Sequence, residues 1–204
     1  MATTKERICE TALRLFNEKG YDAVSLRDIA AAAQTSVGNV TYHFGKKEDL
    51  LAVLLRDLHK DFKSKLESGL KGDDLMKHMV STFRAAKRSE EEYPFYFRNL
   101  NQIYASSQAV REENDAFEAD LQAHYVTCLK KLQKGELVRD NISSDTFEAI
   151  AFMMVHMEST WLIESAPDAN PSMGNMTIDE ALTVLFAQLL TKKGRKALAS
   201  AEKR

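Results

Sequence analysis

The sequence predicts an all-α fold, with a small N-terminal three-helix unit joined by a long helix to a larger C-terminal helical domain. Three observations carry that expectation. The chain holds only 3 prolines and 8 glycines in 204 residues, too few for the turns a sheet protein needs. Apolar residues recur every three or four positions along most of its length, the period that gives a helix one buried stripe. The interruptions are short and carry Gly, Pro, Ser or Asn, residues that stop or cap helices.

Taken in order, the first element runs from Thr4 to Lys19, with Ile8, Ala12, Leu15 and Phe16 on one face and Gly20 as its stop. Ser25 is a natural N-cap for a second helix over 26–33, which buries Leu26, Ile29, Ala30 and Ala33. Ser36 caps a third, very short helix whose anchors are Val40 and Phe44, ended by Gly45. Two short capped helices a few residues apart form a helix-turn-helix pattern. From Lys47 to Leu66 a stripe of Leu51, Leu54, Leu55, Leu58, Phe62 and Leu66 gives about 30 Å of connecting helix at 1.5 Å per residue. Further helices are expected over Asp73–Arg88, Pro94–Ser107, Ala109–Lys134, Ser143–Glu164 and Thr177–Leu190, with a turn-rich loop at 166–175. The domains expected are 1–47, with the first part of the connecting helix to about 66, and 67–204. The basic tail from Lys192 to Arg204 is expected to be a solvated, frayed terminus.

Bulk properties narrow the function classes. Only Cys9 and Cys128 are present, far apart and with no C-x-x-C spacing, which argues for a reducing, cytoplasmic setting and against a disulfide scaffold or a zinc module. The N-terminus has charges among its apolar residues and is not read as a signal peptide. No apolar run approaches the roughly 20 residues a membrane helix needs, so no membrane partner is expected. An enzyme finds no support in the motifs: H-E-x-x-H, G-x-S-x-G, G-x-G-x-x-G, a P-loop and Glu-x-x-His pairs are all missing from the sequence. No cofactor and no metal are expected. The net charge of −2 points to no partner by itself, but residues 1–66 carry 11 basic against 9 acidic side chains and residues 67–204 carry 17 against 21. That asymmetry has the sign expected if the front end meets phosphate.

The residues that carry chemistry lie within the helix-turn-helix pattern. Ile8, Ala12, Leu13, Phe16, Gly20-Tyr21, Ser25, Asp28-Ile29-Ala30, Ala33, Ser36, Gly38, Tyr42-His43-Phe44, Lys47-Glu48 and Leu50 stand in an order and spacing that resembles the DNA-binding domain of the TetR family of bacterial repressors. In such a motif the second helix enters the major groove while neighbouring helix ends hold phosphates. Residues 36–43 would then be the recognition helix. On it Val37, Asn39 and Thr41 are expected opposite the anchors Val40 and Phe44, reaching base edges. Asn39 suits adenine, Val37 and the Thr41 methyl suit a thymine methyl, and Gly38 allows close approach. Thr35, Tyr42, His43 and Lys46 are expected around the backbone. The resemblance implies that Lys47 meets a phosphate, that Arg27 meets groove or backbone, and that Ser25 and Ser36 combine capping with backbone contact. Thr41 stands where the family most often has Tyr, which weakens one phosphate contact. The alternative for each of these residues is purely local: caps, a polar rim and a solvated helix start.

The remainder carries weaker signals. Phe95, Phe97, Tyr104, Phe117, Tyr125, Met153, Met157 and Trp161 are candidates for an adaptable apolar pocket for a small-molecule effector, with ordinary core packing as the alternative. Phe147, Ile150, Met154, Leu182, Leu185, Phe186 and Leu189 are candidates for a homodimer interface, because one recognition helix makes too few contacts with double-stranded DNA and a two-fold dimer reads two half-sites of an operator. The resemblance implies a ligand-responsive repressor. Its rival is a helical partner-binding or scaffold protein that keeps the fold without operator binding.

Overall fold

The computed structural model describes residues 3–70, 74–164 and 175–203. Among them lie α1 (Thr4–Lys19), α2 (Leu26–Ala32), α3 (Val37–Phe44), α4 (Lys47–Leu70), α5 (Leu75–Glu92), α6 (Pro94–Arg98), α7 (Leu100–Ser106), α8 (Gln108–Lys134), α9 (Ser144–Glu164), α10 (Ile178–Ala187) and α11 (Lys192–Glu202). No strand occurs among the described residues, and their one extended pairing is an isolated bridge between Val138 and Leu190. The all-α expectation holds.

Local chemistry explains the boundaries. A capping box closes the start of α1, where the Thr3 hydroxyl accepts from the Glu6 amide at 3.2 Å and the Glu6 carboxylate accepts from the Thr3 amide at 2.6 Å. Ile8, Ala12, Leu15 and Phe16 are all buried, the face the periodicity assigns.

Two expected elements differ. Residues 94–107 form two helices rather than one, because Asn99 leaves helical geometry at φ −118°, ψ 21° and its amide donates to the Phe95 carbonyl at 2.7 Å. A side chain that competes for a backbone carbonyl offers the chain an exit from the helix. The basic tail is no frayed terminus: α11 is capped by Thr191, whose hydroxyl accepts from the Gly194 amide at 3.0 Å. Leu198 and Ala201 are buried beneath it, while Lys192, Lys193, Arg195 and Lys196 face outward. The composition of the tail is basic, but its apolar residues sit at helical spacing, and that stripe decides. The loop expected at 166–175 lies, apart from Asn175, outside the described residues, as does Asp73.

The core is divided into two apolar clusters. One joins α1–α3 and the first half of α4 to Tyr93, Phe95, Tyr96, Leu100, Ile103 and Val110. The other holds Phe62 and Leu66 of α4 together with α5, α8, α9, α10 and α11. α4 therefore runs through both, and α6–α7 lie against the N-terminal unit although they are distant from it in sequence. Phe16 and Phe95 meet with ring centroids 5.2 Å apart, and the Asn17 amide donates to the Glu92 carbonyl at 2.8 Å.

Candidate nucleic-acid interface

The helix-turn-helix is set by three local devices. At the start of α2 the Ser25 hydroxyl accepts from the Asp28 amide at 3.2 Å, and the Asp28 carboxylate accepts from the Ser25 amide at 2.8 Å. Hydrogen bonds from the Ser25 side chain and backbone hold the Asp28 carboxyl below its ordinary range. The turn passes through Gln34 at φ 51°, and Ser36 caps α3 by accepting from the Asn39 amide at 3.1 Å. Gly45 then ends α3 at φ 62°, where an added Cβ would stand 2.8 Å from the Asp49 carboxylate. At that positive φ any side chain is strained, so glycine suits the helix end. Buried Val40 and Phe44 pin α3 from below.

The crest of α3 differs from the expectation. Tyr42 is 84% exposed, and Gly38, one turn earlier, is exposed beside it. At 3.6 residues per turn these two stand opposite Val40 and Phe44, whereas Val37 and Thr41 fall on one flank and Asn39 and His43 on the other. Val37 is 38% exposed, Thr41 is exposed, and Asn39 and His43 are half-buried. Thr41 turns its hydroxyl back to the Val37 and Gly38 carbonyls, both at 3.1 Å, which leaves its methyl outward. The Asn39 amide donates to the Thr35 hydroxyl at 2.8 Å. Its carbonyl oxygen is the freer end, and a bidentate grip on adenine requires the side chain to leave Thr35.

Lys47 is placed differently again. Its ammonium donates to the Tyr21 carbonyl at 2.9 Å and the Val24 carbonyl at 3.1 Å, and sits 4.2 Å from the centroid of the Tyr21 ring. It bolts the start of α4 to the α1–α2 loop, with one ammonium hydrogen left over. Lys46 and Arg27 are exposed, and the Lys46 amide donates to the Asp49 carboxylate at 3.2 Å. Lys5, not singled out from the sequence, places its ammonium 5.9 Å from the Phe44 ring at the end of α3. Lys5 lies in the first turn of α1, and no spacing rule within that helix marked it.

Comparison with known proteins matches this arrangement. The profile of bacterial regulatory proteins of the tetR family fits residues 8–54. Residues 8–54 thus carry a TetR-family DNA-binding motif. The chain is 35% identical over 66 residues to the "Probable HTH-type transcriptional regulator YttP" of Bacillus subtilis, a stretch covering 32% of each protein. It is 19% identical over 199 residues to the HTH-type transcriptional regulator HbdR of Aromatoleum sp., covering 96% of this chain and 84% of HbdR. A TetR-family transcriptional regulator from Marinobacter aquaeolei has the same fold, with a TM-score of 0.82 at 20% identity, covering 99% of this chain and 98% of that one. The chain thus matches only about a third of the length of YttP.

Behind the TetR-family motif, a narrow cleft with about 40 Å³ of free space opens between α4, α5, α6, α7, α8 and α9. Phe97 and Phe117 line it, as expected. Phe95 instead packs on Phe16 in the N-terminal cluster. Tyr104 lies behind Asn114, whose amide donates to it, and Tyr125 is fully buried beneath the wall, its hydroxyl donating to Glu158. Met157 is half-buried against the C-terminal core, Trp161 lines a separate groove with Met176 and Thr177, and Met153 is 46% exposed on the outer side of α9. Missed from the sequence were the polar groups of the cleft: His59, Asn114, Glu118, Glu158 and Ser159. Their positions follow from tertiary packing, not from any local spacing.

Three of these groups, Asn114, Glu118 and Ser159, form a connected set with Tyr96. Tyr96 donates to the Asn114 carbonyl oxygen at 2.5 Å, the Asn114 amide donates to Glu118 at 2.9 Å, and Ser159 donates to the same Glu118 oxygen at 2.6 Å. His59 stacks on Phe117 with centroids 4.1 Å apart, and burial pushes its imidazole down to about 4. Burial also pushes the Glu158 carboxyl up to about 8. The cleft is thus lined at neutral pH by a neutral imidazole and a protonated acid.

The dimer candidates Phe147, Ile150, Met154, Leu182, Phe186 and Leu189 are buried within the protomer and Leu185 is half-buried against the same core. Their wide apolar stripe is consumed by α5 and α8. Among the described residues, the large apolar side chains left outside on α9 and α10 are Phe152, Met153 and Val184, at 60%, 46% and 55% exposure.

Proposed function

We propose that the protein is a cytoplasmic, ligand-responsive repressor that binds a palindromic operator as a homodimer. The observation that carries this reading is the crest of α3. An 84% exposed Tyr42 stands beside Gly38 on a helix anchored by buried residues, and a large exposed aromatic on so rigid a mount is a group kept for a partner. Lys5, Arg27, Lys46, Tyr42 and His43 are the backbone contacts, while Val37, Asn39 and Thr41 reach base edges from the flanks. Lys47 holds the start of α4 in place and offers its remaining hydrogen to a phosphate there.

Two protomers pair through the outer side of α9 and α10. Phe152 stacks on His156 with centroids 6.2 Å apart and rings nearly parallel, and with Met153 and Val184 this makes the apolar patch that a two-fold partner covers. The effector occupies the α4–α9 cleft. Its lining suits a small, largely apolar or aromatic molecule with a polar group facing Asn114, Glu158 and Ser159, and the cleft widens to admit it. Two routes lead from there to α3: Leu58, His59 and Phe62 lie on α4, and Tyr96 and Phe97 lie on α6, which meets α1 through Phe95 and Phe16. An effector that binds one spacing of the recognition helices better than the other shifts the dimer toward it.

The test is a titration of a fragment from upstream of the protein's own gene, over a range of salt, beside a scrambled fragment and Lys46→Ala. Tight binding that prefers the upstream fragment, weakens steeply with salt and loses about one unit of salt slope in Lys46→Ala supports the reading. Weak binding that ignores sequence and the variant, on genome-wide selection as well as on this fragment, leaves the helical partner-binding alternative.

A further inference from the structure

One cluster of chemistry lies outside both sites. His78 in the first turn of α5 and His124 and Cys128 on α8 bring two ring nitrogens and one sulfur within 4.8 Å of one another, all three residues buried. The two Nε2 atoms are 2.9 Å apart, and the Cys128 Sγ is 3.4 Å from the His124 Nε2. His124 and Cys128 stand four residues apart, so one helix face presents both, and α5 supplies the third donor across the interface.

Hydrogen bonding alone serves these three atoms poorly. A neutral imidazole nitrogen either donates or accepts. If His124 Nε2 accepts, the His78 N–H and the Cys128 S–H compete for one lone pair. If it donates, its single hydrogen must choose between them. A cation at the centre uses all three lone pairs at once. The spacing is near what a metal requires, since Zn–N bonds of about 2.0–2.1 Å and Zn–S bonds of about 2.3 Å in tetrahedral geometry hold nitrogens roughly 3.3 Å apart and nitrogen from sulfur roughly 3.5 Å apart. The two nearer spacings, 2.9 and 3.4 Å, differ from these values by only a few tenths of an ångström, and the His78–Cys128 pair lies within 4.8 Å. Burial keeps the two imidazoles neutral and so ready to coordinate.

We propose that His78, His124 and Cys128 form a buried site for one borderline or soft transition-metal ion, Zn²⁺ or an ion of similar preference. Imidazole and thiolate together favour such ions over Mg²⁺ or Ca²⁺, which take oxygen. Binding forms two metal–nitrogen bonds and one metal–sulfur bond, and the Cys128 thiol loses its proton to solvent. Three protein donors leave a further position open. The ion would cross-link α5 to α8 three residues beyond Leu121, which lines the cleft, so its occupancy sets the separation of two cleft walls. Entry is through the first turn of α5, where a helix end opens at lower cost than its middle.

The experiment uses the untagged full-length protein, stripped with a chelator and titrated with Co²⁺ alone, beside Cys128→Ser and His124→Ala. The result expected is binding near one ion per chain with a thiolate-to-cobalt charge-transfer band, displacement by Zn²⁺, and a metal-dependent rise in the thermal midpoint. Cys128→Ser loses the charge-transfer band, and His124→Ala loses tight binding. Circular dichroism of the stripped variants shows that each is folded. Stripped wild type that takes up no Co²⁺, takes it up without the charge-transfer band, or is matched by both variants overturns the site and leaves a hydrogen-bonded core pair. Should one variant fail to fold, the wild-type band and stoichiometry still decide.

Discussion

The helix-turn-helix unit and the helical domain behind it both bury apolar stripes, but they dispose of their polar side chains in opposite ways. In α1–α3 the polar groups work at helix ends, as in Thr3 with Glu6, Ser25 with Asp28 and the Ser36 cap, or stand in solvent, as Tyr42 does. In the second domain His59, His78, His124, Asn114, Glu90 and Glu158 are buried. Caps and exposed crests tolerate no rearrangement and present one fixed surface. Buried polar groups cost stability unless satisfied, and a ligand or ion that satisfies them changes the balance between states. The first arrangement suits reading a regular partner such as a duplex; the second suits responding to a small one.

The sharpest way to break the comparison is at the joint. Phe16 is fully buried and touches both Tyr21 and Phe95. Phe16→Ala is expected to cost about 3–5 kcal/mol, the usual loss for emptying a packed aromatic site, measured by urea unfolding. A loss near 1 kcal/mol would mean that α6 is only loosely docked on α1 and that the route from cleft to α3 runs through α4 alone.

Acidity separates the two regions next. The Glu158 carboxyl, raised by burial to about 8, and the Glu90 carboxyl, raised to about 8 by burial and by the charge of Glu158, bind protons in the folded state that the unfolded chain has released. Their contribution is complete below the ordinary carboxyl range and is lost as pH rises through about 8. The buried histidines, lowered by burial, act oppositely but only below about pH 6.5. From about pH 7 to 8 wild type should therefore lose stability at up to about 1.4 kcal/mol per pH unit for each such acid. Glu158→Gln should flatten that decline in urea midpoints, and an unchanged slope would place an ionised carboxylate in the cleft.

How much was legible follows the same division. The helix-turn-helix was readable because its signals are local: Ser25, Ser36 and Gly45 mark ends, and Ile8, Ala12, Phe16 and Val40 mark faces. The anchoring of Lys47 was not, because the two carbonyls that hold it belong to a loop more than 20 residues away. The Met and aromatic stripe of α9 was visible, but which side faces the core depends on where α5 and α8 lie, so Met154 is buried and its neighbour Met153 is exposed. Cys128 carried no ligand spacing in the sequence because one donor, His124, is four residues away on α8, and the other, His78, lies on α5, 46 residues before His124. α11 was hidden by its charge.

A smaller effect is expected where α11 docks. Gly194 lies so close to the 136–138 turn that an added Cβ would stand 2.1 Å from the Leu137 carbonyl oxygen. Gly194→Ala forces that backbone apart, at about 1–3 kcal/mol. Limited proteolysis should then release the tail from Lys192 onward, and unaltered protection would mean that the bridge between Val138 and Leu190 suffices to hold it.

The smallest change in stability should accompany the largest change in function. Ser36→Ala removes a cap and should cost about 1 kcal/mol of folding stability, with DNA affinity falling as α3 frays. Tyr42→Ala removes a side chain that is 84% exposed and should alter stability by no more than about 0.5 kcal/mol. If the crest of α3 faces DNA, the second variant must nonetheless lose operator affinity at least as much as the first, and the two measurements must dissociate. Unfolding midpoints beside operator titrations at one salt concentration make the comparison. Equal, small losses in both would mean that Tyr42 is only a solvated residue and that α3 meets the duplex along its Asn39–His43 flank.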